Sequence, residues 1–111
     1  MDPEIKKYLD DILYSISVIE NHIEGISSLK DYETDQKTID SVERRLAIIG
    51  EALFKADKIV STIAITDKKK IIGLRHILVH DYDLIDDSTI WLIITRSLPV
   101  LKSTLLRLMD E

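Results

Sequence analysis

The chain has 111 residues, no cysteine and a formal net charge of −5 at pH 7. Its length predicts one domain spanning residues 1–111, and the lack of cysteine excludes disulfides and thiolate metal sites. The N-terminus carries no apolar signal stretch, and no apolar run approaches the roughly 20 residues of a membrane span. We therefore expect a cytoplasmic protein that does not contact membranes.

Charge is spread unevenly along the chain. Residues 1–34 and 76–111 are acidic, whereas residues 35–75 carry nine Lys or Arg and six Asp or Glu. The overall negative charge argues against a general nucleic-acid coat, because repulsion would oppose phosphate binding. A local basic site within the middle third is compatible with this pattern.

The first predicted helix begins at Asp2-Pro3, with Asp as the N-cap and Pro at the first helical position. We expect it to end near Ser27-Ser28 and to be followed by a polar loop over residues 30–35. Its apolar residues recur at steps of three and four, which places them on one helix face. They are Ile5, Tyr8, Leu9, Ile12, Ile16, Ile19, Ile23 and Ile26.

The second predicted helix begins near Thr34 or Asp35 and ends at about Thr62. Gly50 lies inside it, at a cost of about 1 kcal/mol relative to Ala. We therefore expect another helix to approach the chain closely at this glycine. The apolar positions of the helix are Ile39, Val42, Leu46, Ile49, Leu53, Ala56, Ile59 and Val60.

Two further helices complete the prediction. The third begins at Asp67 and ends at about His80, and the fourth begins at Asp86 or Asp87. Pro99 lies within the fourth helix, so we expect a kink or break there. Four helices with short connections predict an all-α, antiparallel up-and-down bundle.

The segment from Arg75 to Tyr82 concentrates chemically active side chains: a guanidinium, two imidazoles and a phenol. Arg75 supplies a permanent planar charge suited to a phosphate, and His76 or His80 can exchange a proton near neutral pH. These groups suffice for RNA cleavage without a metal. A histidine takes the proton of the ribose 2′-hydroxyl or protonates the leaving oxygen, and the arginine stabilises the added negative charge.

Helix geometry separates the two residues that this chemistry needs. On an ideal helix Arg75 and His80 point roughly 140° apart. They meet at one phosphate if the helix ends near His80, or if two chains pool their residues, so we expect a helix end over residues 81–87 and a homodimer. As a weaker alternative, helical spacing would place His76, His80 and Asp83 on one face that suits a divalent metal; we expect no metal and no cofactor.

The spacing Arg75-x4-His80-x-Tyr82 resembles the signature of the HepT-like toxins of the HEPN superfamily. Most relatives carry Asn after the motif arginine, where this chain has His76. The resemblance covers nearly the whole chain. It also includes residues 41–46, 48–52 and 71–75, Trp91 and Leu98-Pro99.

This resemblance implies a dimeric helical bundle with metal-independent endoribonuclease activity that is toxic to the cell. Arg75 and His80 of both chains would line one cleft. It also implies a type VII-like toxin–antitoxin pair, in which an MNT-type nucleotidyltransferase attaches AMP to Tyr82. The added negative charge would repel RNA phosphates. The alternative is a catalytically silent helical dimer that binds, or is modified by, that nucleotidyltransferase.

Supporting roles are predicted around this motif. Arg44 and Glu51 lie seven residues apart on one helix face, where they either border the cleft and orient Arg75 by an ion pair or form a solvated salt-bridging face. His76 could share proton transfer or play a structural part. A basic run is ordinarily the exposed first turn of a helix, but it could also collect RNA phosphates. It consists of Lys68, Lys69 and Lys70.

Overall fold

The computed structural model describes residues 1–110, apart from the side chain of Tyr82, and this part of the chain contains no strand. A 3-10 turn at Tyr82–Leu84 separates the fourth and fifth helices, and a π-helical segment at Ile93–Ser97 joins the last two. The helices are α1 Pro3–His22, α2 Leu29–Glu33, α3 Gln36–Ile59, α4 Lys68–His80, α5 Asp87–Leu92 and α6 Leu98–Met109.

Helix α1 begins as predicted and ends earlier than predicted. A carboxylate oxygen of Asp2 accepts a hydrogen bond from the backbone N–H of Glu4 at 2.7 Å, which confirms the N-cap. The expected end near Ser27-Ser28 is wrong, because the helix stops at His22. The chain then turns through Gly25, whose φ of +88° is a conformation that glycine adopts without strain.

The connection between α1 and α3 contains a short helix, α2, where the sequence predicted a polar loop. Ser28 is its N-cap and accepts a hydrogen bond from the backbone N–H of Asp31. The helix forms because it carries Tyr32 into the core, where the ring is fully buried and lies 5.5 Å from the ring of Trp91. The prediction failed because one buried aromatic residue, rather than a repeating pattern, orders this segment.

Helices α3 and α4 pack closely and run in opposite directions. The carboxylate of Asp35 caps α3, as predicted, by accepting from the backbone N–H of Thr38 at 3.1 Å. The helix ends at Ile59, not Thr62. A Cβ atom added to Gly50 would lie 2.9 Å from the carbonyl oxygen of Ile71 in α4. The expected close approach of another helix at Gly50 is therefore confirmed.

The last two helices form one rod with a local widening. Asp86 is the N-cap of α5 and accepts from the backbone N–H of Ser88 at 3.0 Å. In the π segment, the N–H of Leu98 reaches back five residues to the carbonyl of Ile93. Pro99 follows directly, has no N–H and would clash with the preceding turn of a regular helix. The helix is thus irregular where a kink or break was predicted, but as a π-helical segment in a continuous rod.

Helices α1, α3 and α4 and the α5–α6 rod form the predicted all-α, antiparallel four-helix bundle. Its core is almost wholly aliphatic. Contrary to the sequence expectation, the rod from Asp87 to Met109 is long and apolar enough to cross a membrane by length and composition. Core helices meet the same criterion, and one face of this rod lies in the core through Ile90, Ile93, Ile94, Leu98, Leu101 and Leu105.

Candidate functional site

A groove of about 710 Å³ runs along the solvent-facing side of α3. The N-terminal half of α1 borders it on one side and the C-terminal half of α4 on the other. Its lining mixes charged and apolar side chains: Lys7, Tyr8, Asp11, Asp40, Glu43, Arg44, Ala47, Ile48, Glu51, Ala52, Lys55, Arg75, Leu78, Val79 and His80. Two of the motif residues, Arg75 and His80, therefore face the same space.

Two residues of α3 hold the guanidinium of Arg75. Its Nη1 atom donates a hydrogen bond to Oε2 of Glu51 at 2.8 Å. Its central carbon lies over the ring of Phe54, 4.2 Å from the ring centroid. The predicted ion pair between Glu51 and Arg75 is thus present, and it leaves the Arg75 side chain 37% exposed to solvent.

Gly50 explains how α4 brings Arg75 so close to α3. A Cβ atom at Gly50 would lie 3.1 Å from the Cβ atom of Arg75 and 3.2 Å from its backbone nitrogen. Any larger residue would therefore push α4 outward at this point. Gly50 thus allows the backbone and Cβ atom of Arg75 to lie close to α3, while Glu51 and Phe54 contact its guanidinium.

His80 is the last residue of α4 and is exposed at the end of the groove. The helix stops there: the N–H of Asp81 still bonds to the carbonyl of Ile77 at 3.0 Å, and the 3-10 turn begins with Tyr82. The expected helix end after His80 is confirmed. Arg75 and His80 line the same groove because both flank the α3-facing side of α4.

His76 points away from this arrangement. Its side chain is 68% exposed, and its Nε2 atom lies 3.4 Å from a carboxylate oxygen of Asp81. The rings of His76 and His80 are 5.0 Å apart, with 47° between their planes. His76 does not line the groove within the described part of the chain. It therefore neighbours His80 but does not face Arg75.

The alternative metal site does not form. Among residues 1–110, apart from the Tyr82 side chain, no group of three or more His, Asp or Glu side chains is arranged to hold a metal ion. The alternative required His76, His80 and Asp83 on one helical face. Because α4 ends at His80, Asp83 lies in the 3-10 turn instead, and the helical spacing no longer applies.

The basic run at the start of α4 lies apart from the groove. The ammonium of Lys68 contacts a carboxylate oxygen of Asp57 at 2.8 Å and the carbonyl oxygen of Ser61 at 3.1 Å. Lys68 thus ties the start of α4 to the end of α3, while Lys69 and Lys70 are exposed. None of the three lysines lines the groove within the described part of the chain, although Lys70 starts only about 7 Å from Arg75 along α4.

Carboxylates balance the basic groups of the groove. Burial, and then the charges of Asp87 and Asp40, raise the pKa of the Glu43 carboxyl. Tyr32 lies behind this cluster, and burial together with Glu43 and Asp87 raises the pKa of its phenol. Arg44, at the neighbouring position of α3, is exposed and lines the groove. Near Glu43 the groove therefore carries the carboxylates of Asp40 and Glu43 beside the guanidinium of Arg44, a mixture that sequence analysis did not foresee.

Comparison with known proteins identifies the family. The ribonuclease HepT-like family matches residues 12–108 of the chain. The chain belongs to this family. A protein of Methanocaldococcus jannaschii, named as a gamma-glutamylcyclotransferase and proposed RNase, is 30% identical over 117 aligned positions, which cover 100% of this chain and 50% of that protein. The chain thus spans about half the length of this curated relative. No solved structure matches this chain significantly.

One predicted site residue of this HepT-like chain is described only in part. The backbone of Tyr82 begins the 3-10 turn, two residues after His80. The phenol, predicted to accept AMP, lies outside the described part of the structure. Sequence analysis also overlooked Phe54, although its position three residues after Glu51 places both side chains on one helix face.

Proposed function

We propose that this protein is a metal-independent endoribonuclease in which Arg75 and His80 act on one RNA phosphodiester. The single observation that carries the proposal is that both side chains line one groove on the α3 side of α4. Membership of the ribonuclease HepT-like family supports it. Arg75, the groove's motif arginine, is also partly exposed, so an incoming phosphate can reach it.

The proposed reaction is an internal transesterification. The ribose 2′-oxygen attacks phosphorus as an imidazole takes its proton, and a second, protonated imidazole gives a proton to the departing 5′-oxygen. The products are a 2′,3′-cyclic phosphate and a 5′-hydroxyl. Arg75 stabilises the extra negative charge on the phosphate oxygens, Glu51 holds Arg75 in place, and the exposed guanidinium of Arg44 attracts neighbouring phosphates.

A homodimer would complete this chemistry. The groove of one chain offers one His80, whereas the reaction uses one imidazole as base and another as acid. Two copies facing each other across their grooves would pool two pairs of Arg75 and His80. The half-buried Ile48 and the exposed Val79 along the groove supply apolar surface that such a contact would cover.

The proposed biological setting is a type VII-like toxin–antitoxin pair in the cytoplasm, with residues 1–111 acting as one HepT-like domain. An MNT-type nucleotidyltransferase would attach AMP to Tyr82. Tyr82 follows His80 by two residues, so an AMP group there would bring negative charge to the end of the groove and repel RNA. His76, beside His80, would tune that histidine rather than contact RNA.

The deciding experiment compares histidine variants in RNA cleavage with and without EDTA. His80→Ala should lower kcat by about 100-fold or more, since acid–base catalysis contributes that much. His22→Ala is the matched control. His22 lies at the end of α1, where it contacts the Ser41 hydroxyl, and the variant protein should cleave RNA like the wild type. Unchanged cleavage by His80→Ala contradicts the proposal, and cleavage abolished by EDTA contradicts its metal independence.

A second candidate is a silent helical dimer that serves as substrate or scaffold for the nucleotidyltransferase. The engagement of Arg75 by Glu51 and Phe54 favours it, because a structural role for Arg75 would account for both contacts without RNA. Both candidates share the modification of Tyr82, and the intact mass of the protein after co-expression with the nucleotidyltransferase tests it. Mass should rise in multiples of AMP, Tyr82→Phe should abolish the rise, and Tyr14→Phe, which removes an exposed phenol of α1, should not.

A further inference from the structure

We propose that Phe54 is a positioning residue for the reaction: its ring fixes the plane of the Arg75 guanidinium so that the free edge of that group faces the groove. The inference rests on the proposed ribonuclease function. It assigns a role to a residue outside the Arg75-x4-His80-x-Tyr82 motif. The decisive contact is the 4.2 Å between the Arg75 guanidinium carbon and the centroid of Phe54.

The hydrogen bond to Glu51 cannot fix the guanidinium alone. A guanidinium carries five N–H donors in one plane. Within the described part of the chain, Glu51 accepts from Nη1. A single hydrogen bond at Nη1 leaves the guanidinium plane of Arg75 able to tilt about that hydrogen bond. Contact with the face of an aromatic ring removes this rotation, because a guanidinium stacked on a ring stays parallel or nearly parallel to it.

The sequence of α3 builds this cradle from one helix face. Glu51 and Phe54 are three residues apart and therefore neighbours on the helix surface. Gly50 lies one turn before Phe54 and lets the α4 backbone approach. The side chain of Arg75 is thus held at both ends: by backbone contact at its Cβ atom, and by a carboxylate and a ring at its guanidinium.

Two lysines lie near the partners of Arg75. The ammonium of Lys55 lies 3.7 Å from Oε1 of Glu51, whereas Arg75 donates to Oε2, so the two cations use different oxygens. The ammonium of Lys58 lies 4.4 Å from the Phe54 centroid. An ammonium is a compact point charge without a plane, whereas a guanidinium gains from stacking. The ring therefore constrains the orientation of Arg75 in a way that it cannot constrain a lysine.

The orientation matters for catalysis because stabilisation of the transition state depends on donor geometry. With Nη1 bonded to Glu51 and the guanidinium carbon over the Phe54 ring, a fixed plane would hold the remaining N–H donors of Arg75 in constant positions towards an incoming phosphate. Loss of the ring should lower kcat by about 2- to 30-fold, the range of a cation–π contact. KM should change less, because Phe54 does not itself touch RNA in this scheme.

Three variants test the inference in the full chain. Phe54→Leu removes the aromatic face and retains an apolar side chain of similar size. Phe54→Tyr keeps the ring and should restore wild-type behaviour. Lys58→Gln removes the other cation on the ring and is the matched control; its kcat should stay within about two-fold of the wild type. Kinetic constants for RNA cleavage are measured for each.

A spectroscopic measurement reports the stack independently of cleavage. The aromatic ring current should move the Arg75 side-chain NMR resonances upfield, and Arg75→Lys identifies those resonances by their loss. Phe54→Leu should remove the upfield shift, while Phe54→Tyr and Lys58→Gln should preserve it. An unchanged Arg75 shift in Phe54→Leu overturns the inference.

The two measurements separate failure of the inference from failure of the proposed function. If the wild type cleaves RNA and Phe54→Leu has the same kcat, the positioning role of Phe54 is refuted and the ribonuclease proposal stands. If the wild type cleaves no RNA, the ribonuclease proposal fails, and with it the effect of Phe54 on the reaction. The NMR shift still decides whether the ring fixes Arg75.

Discussion

Arg75 of α4 and Glu51 of α3 form a 2.8 Å ion pair that joins the two helices at the wall of the groove. Their side chains are 37% and 40% exposed. Ion pairs with this exposure contribute about 0–1 kcal/mol to stability. The pair therefore matters more for where it holds the guanidinium than for the free energy of folding.

Replacing Glu51 should separate these two effects. Glu51→Ala should lower kcat for RNA cleavage by about 10- to 100-fold, because a small displacement of a catalytic group has a large kinetic cost. Its free energy of unfolding should fall by no more than about 1 kcal/mol. Glu51→Gln, which keeps an oxygen acceptor for Arg75, should lose less activity than Glu51→Ala. Kinetics and urea unfolding measure the two quantities.

Lys55→Ala is the control for this prediction. Lys55 also contacts Glu51, at 3.7 Å. Within the described part of the chain, however, the hydrogen bond of the Arg75 guanidinium goes to Glu51 and does not involve Lys55. Its removal should leave kcat unchanged within about two-fold. If Glu51→Ala loses no more activity than Lys55→Ala, the ion pair does not orient Arg75 for the reaction.

The two helical glycines should respond in opposite ways to alanine. Gly50→Ala would bring a Cβ atom to 2.9 Å from the carbonyl oxygen of Ile71, so α4 must move, at a cost of about 1–3 kcal/mol. Gly73→Ala meets no atom within 4 Å and should stabilise α4 by up to about 1 kcal/mol. Urea unfolding monitored by circular dichroism measures both changes.

Activity provides a second comparison between the glycine variants. Gly50→Ala should also lower kcat, since the backbone of Arg75 lies against the same point of α3. Gly73→Ala should leave kcat unchanged. A stabilising Gly50→Ala would show that α4 can retreat without strain, and close approach would then no longer explain the position of Arg75.

Sequence patterns predicted the four main helices because their signals are local and repeated. Asp2, Asp35 and Asp86 each precede an apolar repeat and each caps a helix. Pro99 marked the irregular turn in the last helix for an equally local reason. Helix α2 was missed because a long-range contact stabilises it. Tyr32 packs beside Trp91, which lies far along the chain.

The candidate site was predicted only in part, for the same reason. Arg75 and His80 are close in sequence, so their spacing could be read locally. The expected end of α4 after His80 then predicted that both side chains could reach one site. The contact of Phe54 with Arg75 depends on how α3 and α4 pack, which no local pattern encodes. Nor did the sequence reveal that Asp57 engages Lys68 and removes it from the candidate RNA-binding groups.

RNA affinity should depend on the groove and not on the basic run of α4. Arg44→Gln should weaken RNA binding and reduce the slope of log affinity against log salt by about 0.7, the value for one phosphate contact with single-stranded RNA. The double substitution Lys69→Gln and Lys70→Gln should leave this slope unchanged, because neither residue lines the groove within the described part of the chain. Fluorescence anisotropy in the His80→Ala background, in which we expect no cleavage, measures both.

The opposite pattern would relocate the RNA path. If the lysine variant loses the larger slope, RNA crosses the start of α4 before it reaches the groove. The earlier prediction that Lys69 and Lys70 collect phosphates would then be correct. Lys68 is left in place in this comparison because its contact with Asp57 joins α3 to α4, and its loss would change stability as well as charge.

Glu43 should make stability depend on pH in a defined direction. Burial and two neighbouring carboxylates raise its pKa in the folded protein, so the folded state binds this proton more tightly than the unfolded state. The resulting stabilisation is complete below the unfolded pKa of about 4.3 and is lost as pH rises through the raised folded value. At pH 7 the ionised carboxylate is therefore unfavourable for folding.

Glu43→Gln should consequently raise the midpoint of thermal unfolding at pH 7, and the gain should shrink towards pH 4. Glu33→Gln, at an exposed position of α2, removes the same charge and should show a smaller gain at pH 7. If both variants gain equally, overall charge accounts for the effect rather than burial of Glu43 and its repulsion by Asp87 and Asp40. Glu43 also lines the groove. A gain specific to Glu43→Gln should therefore be accompanied by tighter RNA binding at pH 7, since one repulsive charge has been removed from the proposed RNA path.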